Sequence, residues 1–173
     1  YFTLLLKQNE RNFISMGIQT DKILKDIKNG AITDASINAI DSIDESRIRT
    51  QIANDIDAAF PSRSQFSAAC GIHGSQLSEF FNGRKKFGRD NLLTIFITLH
   101  YDCDKIQDTL KYLGETMLYA RNKRDCHIIK AIHDQKSLEE TDRFLMTDGY
   151  DPISPDAKEL YRGESKYGNG KQH

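Results

Sequence analysis

The 173-residue sequence has no tryptophan, only three prolines and three cysteines, and no apolar run as long as a membrane-spanning helix. Cys70, Cys103 and Cys126 are odd in number and widely spaced, and no two of them form a CxxC pair. This usage favours reduced thiols over a disulfide framework, and we therefore expect a cytoplasmic protein. Residues 1–6 are also too short, and too poor in basic residues, to form a secretion signal.

The sequence also lacks the short motifs that carry enzyme chemistry. It contains no HExxH, GxxxxGKS/T, GxSxG or GxGxxG pattern, so we expect no enzyme activity and no cofactor. Several histidines and cysteines lie in the second half of the chain, but their spacing is wider and less regular than that of zinc ligands, and we expect no metal. These residues are His100, Cys103, Cys126, His127 and His133.

Charge is nearly balanced over the whole chain but is distributed unevenly. The net charge of -1 argues against an unspecific polyanion binder. Residues 62–90 nevertheless carry five basic side chains against two acidic ones, an excess of +3. A second basic cluster, Arg121, Lys123 and Arg124, is diluted by Asp125 and is interpreted as the solvated start of a helix. The positive excess therefore lies in one segment, where contact with phosphate groups would require it.

Within that segment the pattern predicts two short helices joined by a tight turn. Residues 64–69 form the first helix, and Gly71 supplies the left-handed backbone conformation that a sharp reversal needs. The second helix begins at Ser75 and ends at Asn82-Gly83, and a basic loop follows it at once. The inward-facing positions are Phe66, Ala69, Leu77, Phe80 and Phe81. Two helices at a steep angle across a glycine turn are the geometry that lets one of them enter a DNA major groove.

Residues 64–104 resemble the helix-turn-helix of the XRE regulators, the lambda-repressor and Cro type. That family's pattern is a large apolar residue and Ala in the first helix, Gly-apolar-polar in the turn, Ser-x-Leu-Ser, then Asn-Gly-basic and a Leu-rich helix. The matching residues here are Phe66, Ala69, Gly71-Ile72-His73, Ser75-Gln76-Leu77-Ser78, Phe80-Phe81-Asn82-Gly83-Arg84 and Leu92-Leu93. The resemblance covers about a third of the chain directly and implies an all-α, lambda-repressor-like bundle with additional N- and C-terminal helices.

The resemblance also implies which residues meet DNA. The helix from Ser75 would lie in the major groove, where the Gln76 amide suits adenine and the Glu79 carboxylate suits the amino group of cytosine. The residues assigned to base reading are Ser75, Gln76 and Glu79, with Gly74 just before them. Those assigned to phosphate contact are Arg63, Ser64, His73, Arg84, Lys85 and Lys86.

Helical patterns are predicted along the rest of the chain. They cover residues 20–28, 34–43, 45–60 (capped by Asp44 or Ser46), 89–100, 103–113 (capped by Asp102 or Asp104), 122–133 and 137–147 (opened by a Ser137–Glu140 capping box). Residues 150–155 are predicted to be extended. Four matches at an offset of 35 residues, from Ile106/Thr141 to Leu118/Ile153, favour a duplicated helix-turn unit or arise by chance. The predicted organisation is residues 1–44 as an N-terminal extension with a dimer contact, 45–114 as the helix-turn-helix domain, 115–160 as a C-terminal helical extension and 161–173 as a flexible tail.

We interpret the chain as a transcriptional regulator that binds double-stranded DNA in the major groove, as a homodimer, with the terminal extensions open to a protein partner. The alternative is a helix-turn-helix fold used for protein interaction, antitoxin-like or a signalling adaptor, with little DNA affinity. Glu79, the small residues Gly74 and Ser75, an exposed Phe81 and the near-neutral charge favour that alternative.

Overall fold

A computed structural model of the protein describes residues 21–38 and 44–168, with side chains through Arg162. Every regular element in these ranges is an α-helix, which confirms the all-α class. The helices are α1 (residues 21–28), α2 (Asp34–Asn38), α3 (Glu45–Ala59), α4 (Arg63–Cys70), α5 (Gly74–Phe81), α6 (Arg89–Thr98), α7 (Cys103–Tyr112), α8 (Lys123–His133), α9 (Leu138–Thr147) and α10 (Pro155–Gly168). Residues 1–6, the end of the predicted helix at 39–43, and residues 169–173 of the predicted tail lie outside the described ranges.

Helix α3 buries one apolar face against three other helices. Ile48, Ile52 and Ile56 repeat at the spacing of one helical turn, and each is at most 2% exposed. The N-cap of the helix is Asp44 and not Ser46, because the Asp44 carboxylate accepts a hydrogen bond from the Ser46 backbone N–H at 2.8 Å. This face contacts α4, α5 and α7.

Helix α6 lies at the centre of the molecule. Its residues 92–97 are all buried, so the helix is enclosed on every side along this stretch. It contacts α4, α7 and α9 and therefore joins the first helices to the later ones. The buried apolar residues form one cluster that runs from Ile48 to Ile153. Helices α3 to α9 consequently share a single hydrophobic core, and none of the described helices is both long and apolar enough to cross a membrane.

The α6–α7 and α8–α9 pairs match at the 35-residue offset that the sequence suggested. His100 and Gln135, at equivalent places between the helices of each pair, both have φ of 53°. Gly114 and Gly149, after the second helix of each pair, have φ of 72° and 76°. The second helices begin at Asp102 and at Ser137, and Ser137 forms the predicted capping box with Glu140.

Helix α10 differs from the sequence prediction. Residues 150–154 are non-helical as expected, but a helix begins at Pro155 and continues to Gly168, across the boundary drawn at residue 161. The physical reason is visible at its start: proline is well tolerated in the first turn of a helix, and Asp156 complements the positive end of the helix dipole. The sequence prediction missed this helix because the residues after Arg162 are rich in glycine.

Candidate functional site

Helices α4 and α5 meet at a turn that only a residue without a side chain accommodates. Gly71 ends α4 with φ of 67°, the left-handed conformation that the sequence predicted there. A Cβ atom added at Gly71 would lie 2.7 Å from Oδ2 of Asp156, at the start of α10. The hydroxyl of Ser67 also donates to the carbonyl oxygen of Ile72 at 2.7 Å, which ties α4 to the turn. The turn is therefore fixed from both sides.

Helix α5 is divided into an apolar face that anchors it and a polar face in solvent. Leu77 and Phe80 are 4% and 2% exposed. The Phe80 ring stacks on Phe87 at a centroid distance of 4.6 Å, which fixes the helix against the loop that follows it. The residues on the other face are all exposed, and they are Gly74, Ser75, Gln76, Ser78 and Glu79. The three predicted base-reading residues, and Gly74 before them, are thus all exposed to solvent.

The residues at the starts of the two helices are already engaged within the chain. His73 is the N-cap of α5: its Nδ1 accepts from the Ser75 backbone N–H at 3.3 Å and lies 2.8 Å from the Ser75 hydroxyl. The structure therefore begins α5 one residue earlier than predicted, at Gly74. Ser64 is exposed in the first turn of α4. The side chain of His73 acts first as a cap, a role that the sequence did not suggest.

Arg63 is held by an acidic residue that the sequence analysis did not connect with it. Its guanidinium donates two hydrogen bonds to the carboxylate of Asp57, at 2.9 and 2.8 Å. These bonds raise the pKa of Arg63 and lower that of Asp57. The guanidinium also lies 5.6 Å from the centre of the Phe81 ring, which is half-buried and packed against the core. Phe81 is therefore less exposed than the protein-interaction alternative assumed.

The basic loop after α5 is anchored by its backbone. The N–H groups of Arg84 and Lys85 both donate to the carbonyl oxygen of Glu79, at 2.9 and 3.2 Å. Arg84 and Lys86 are exposed and Lys85 is half-buried. Lys86 lies 3.5 Å from Glu45, but its side chain is 79% exposed, so this contact holds it weakly. Among the described residues, Arg84 and Lys85 have no acidic partner within ion-pair distance.

The last cation of the basic segment, Arg89, faces inward instead. It forms a two-point ion pair with Asp125 of α8, at 2.6 and 3.0 Å, and the Asp125 side chain is 3% exposed. In return, Arg124 of α8 pairs with Asp90 of α6 at 3.0 and 3.1 Å. Of the five basic side chains counted in this segment, Arg89 therefore contributes to internal packing.

A second acceptor site for cations is centred on Asp90. Lys158 of α10 donates to it at 2.5 Å, in addition to the bonds from Arg124. Burial alone would raise the pKa of Asp90, but the hydrogen bonds and charges of Arg124 and Lys158 outweigh burial and hold the pKa below its usual value. Three helices, α6, α8 and α10, thus meet at this carboxylate.

A cleft of about 610 Å³ lies between α7 and α8. Two of the three thiols line it, together with Asp102 and Asp104. Burial and the two nearby carboxylates raise the pKa of Cys103, which keeps this thiol protonated and a poor nucleophile. In the described part of the chain no group of three or more His, Cys, Asp or Glu side chains is placed to hold a metal ion.

Comparison with known proteins adds no family to this geometry: no protein-family model, no curated protein and no solved structure matches the chain. The position of Asp57 beside Arg63 and that of Asp156 beside Gly71 were missed, because each aspartate belongs to a different helix from its neighbour. The repeated Arg-Asp dipeptide, at residues 89–90 and 124–125, was a signal in the sequence that the two helix pairs correspond.

Proposed function

We propose that this protein is a cytoplasmic transcriptional regulator of the XRE type, which binds double-stranded DNA through a lambda-repressor-like unit formed by α4 and α5. The observation that carries the proposal is the polar, solvent-exposed face of α5, anchored by buried Leu77 and Phe80 and followed at once by a basic loop. An α-helix fits the major groove, and the first turn of such a helix faces the base edges. Gln76 and Glu79 then supply the hydrogen-bonding groups that distinguish base pairs.

The basic loop supplies the contacts that do not depend on sequence. Arg84 and Lys85 carry charges that no described acid neutralises, and Lys86 is held only weakly. Three phosphate contacts correspond to a salt slope of about -2.7, at about -0.9 per phosphate. Arg63 and the exposed start of α4 supply a further phosphate contact on the other side of the turn.

A single unit of this kind contacts only a few base pairs, so we propose a homodimer. Two reading helices then lie about 34–36 Å apart, one helical turn of DNA. The N-terminal helices favour this assignment: Leu24 and Ile27 of α1 and Ile37 of α2 are each about half exposed. Leu24 and Ile27 are three residues apart on α1 and therefore lie on one face of this helix, where exposed apolar side chains favour a protein contact.

The second candidate function is protein interaction through the same unit. It is favoured by the pairing of Arg63 with Asp57 and by the acidic Glu79 on the exposed face, since both reduce the positive charge offered to DNA. A protein of this class would bind a partner chain and show no preference among duplex sequences. Affinity for duplex DNA and its salt dependence separate the two functions.

The experiment that tests the proposal is selection of bound sequences from random duplex, with the Arg84/Lys85/Lys86→Ala triple variant as control. We then expect Gln76→Ala to relax the preference at one base pair, at a cost of about 1–3 kcal/mol, because a bidentate contact is lost. Lys85→Ala is expected to weaken all duplexes alike and to reduce the salt slope by about 0.9. Both variants alter half-buried or exposed side chains and should fold. The same loss of preference in both, or no enriched sequence for the parent, would contradict the assignment.

A further inference from the structure

The exposed basic residues between α7 and α8 lie beside the basic loop that follows α5. Helices α6 and α8 are joined at their first turns by two reciprocal ion pairs, Arg89–Asp125 and Asp90–Arg124. Because α6 and α8 begin side by side, the two segments that precede them lie at the same end of the molecule. The segment before α6 is the loop with Arg84, Lys85 and Lys86, and the segment before α8 is residues 113–122.

Hydrogen bonds fix this second segment at that end. Arg89 reaches the carbonyl oxygen of Met117 at 3.5 Å, and the backbone N–H of Tyr119 donates to the Asp125 carboxylate at 2.9 Å. Lys86 precedes Arg89 by three residues, a separation of at most about 11 Å along the chain. Met117 therefore lies close to the end of the basic loop, although it is 31 positions after Lys86 in the sequence.

The two aspartates of the reciprocal ion pairs are bound by cations within the chain. Asp125 is 2% exposed and bound to Arg89, and Asp90 is bound to Arg124 and Lys158. Asp125, which dilutes the cluster in the sequence, therefore does not dilute it in the structure. Arg124 also turns inward, since it donates to backbone carbonyl oxygens of residues 151 and 152 as well as to Asp90.

The exposed side chains at this place include Tyr119, Arg121 and Lys123. Arg121 and Lys123 are exposed and have no acidic partner within ion-pair distance among the described residues, and Tyr119 is 59% exposed. Lysine, arginine and tyrosine are side chains that bind DNA phosphates. This surface thus offers two cations and a tyrosine to solvent, and the carboxylate of Asp125 that follows them in the sequence is buried.

We propose that Tyr119, Arg121 and Lys123 form a second contact with the sugar-phosphate backbone, flanking the duplex that α5 reads. This inference rests on the proposed function. The occupant it commits to is the phosphate backbone outside the base pairs that α5 contacts, because a cationic surface without base-reading amides selects charge and not sequence. Residues 117–123 would then extend the duplex contact beyond the α4–α5 unit.

The test compares the salt dependence of duplex binding for the full chain and for the Arg121→Gln/Lys123→Gln variant. We expect the slope of log affinity against log salt to fall in magnitude by about 1.8, at about 0.9 per phosphate. The set of sequences selected from random duplex should remain the same, and hydroxyl-radical protection should be lost at the outer edge of the footprint only.

The matched control is Lys130→Gln/Arg143→Gln, which removes the same charge from exposed side chains farther along α8 and on α9. A slope that falls equally in the control would show a net-charge effect and overturn the inference. An unchanged slope in the Arg121/Lys123 variant, with the parent still selecting a sequence, would overturn it and leave the proposed function standing. A changed sequence preference would overturn the assignment to the backbone. Failure of the parent chain to bind any duplex would instead refute the proposed function.

Discussion

The α6–α7 and α8–α9 pairs start with the same dipeptide, yet its two copies are buried to different extents. Arg89-Asp90 lies at the start of α6, and Arg124-Asp125 lies 35 residues later near the start of α8. The Asp125 side chain is 3% exposed and pairs with Arg89, whereas that of Asp90 is 26% exposed and pairs with both Arg124 and Lys158. Removal of Arg89 would therefore leave a buried carboxylate without its ion pair. Removal of Arg124 would leave a more exposed carboxylate that still pairs with Lys158.

The two pairs also differ in how each fixes the loop after its second helix. In the first pair, the Gln107 side-chain amide accepts from the N–H of Leu118 and donates to its carbonyl oxygen, both at 2.7 Å. At the equivalent position in the second pair, the Asp142 carboxylate accepts from the N–H groups of Ile153 and Ser154. An amide both donates and accepts, while a carboxylate only accepts. The same junction is thus made with neutral groups in one pair and with a buried charge in the other.

A third difference is the length of the connection to the next helix. Helix α10 begins at Pro155, and the equivalent position in the first pair is residue 120, but α8 begins only at Lys123. The first connection is therefore three residues longer, and Arg121 lies within the added stretch. The second helices of the two pairs, α7 and α9, begin and end at positions 35 residues apart. The longer connection contains Arg121, one of the residues that we propose to contact the sugar-phosphate backbone of DNA.

The largest effect is expected from Arg89→Ala. This change leaves the Asp125 carboxylate buried without its cation, and we expect the free energy of unfolding to fall by about 3–5 kcal/mol. Arg124→Ala removes the equivalent arginine, but Asp90 is more exposed and keeps Lys158, so a loss of about 1–3 kcal/mol is expected. Denaturant unfolding of both variants measures the difference.

A double variant tests the cause of that difference. In Arg89→Ala/Asp125→Ala the unpaired carboxylate is gone, so part of the stability lost in Arg89→Ala should return. Equal losses in Arg89→Ala and Arg124→Ala, with no recovery in the double variant, would mean that burial of the acid does not set the cost.

The helices and their ends were largely predictable from the sequence, because these features depend on residues close together in the chain. Asp44, Asp102 and Ser137 cap helices as local rules require, and Gly71 ends α4 in the expected conformation. Helix α10 was missed although its first turn has the usual residues for a helix start. A glycine-rich composition was given more weight than Pro155 and Asp156.

The inward or outward direction of the charged side chains was not predictable. Arg84 and Arg89 belong to the same basic segment, but Arg89 meets an acid 36 residues away that is visible only in three dimensions. By contrast, the helical spacing did predict that Leu77 and Phe80 are buried, and the exposure of the polar face of α5 follows from their burial. Periodicity therefore located the exposed polar face of α5, while tertiary packing decided which cations of the basic segment remain exposed.

An intermediate effect is expected at the two loop junctions. Asp142→Asn keeps one oxygen that accepts from the Ile153 N–H but places an amide nitrogen where the second carboxylate oxygen lies 3.3 Å from the Ser154 N–H, and we expect a loss of about 1–3 kcal/mol because a buried N–H group then faces another donor. Gln107→Glu keeps the bond from the Leu118 N–H but loses the donation to its carbonyl oxygen, at a half-buried site, so a smaller loss is expected. Amide hydrogen exchange at residues 118, 153 and 154 reports each junction separately. Faster exchange at 118 in the Asp142 variant would show that the junctions are coupled and would contradict this assignment.

The smallest effect concerns acid stability, and two aspartates are expected to act with opposite sign. Arg124 and Lys158 hold the pKa of Asp90 below its unfolded value, so its contribution is present above the unfolded pKa and is lost as the pH falls through the folded pKa. Burial first, and then the neighbouring acids, raise the pKa of Asp108 above its usual value although Lys111 opposes them, so protonation of Asp108 favours the folded state. Unfolding measured between about pH 6 and pH 3 should therefore show a shallower loss of stability for Asp90→Asn and a steeper one for Asp108→Asn. A shift in the same direction for both variants would mean that the ion pairs of α6 and α10 do not set the acid response.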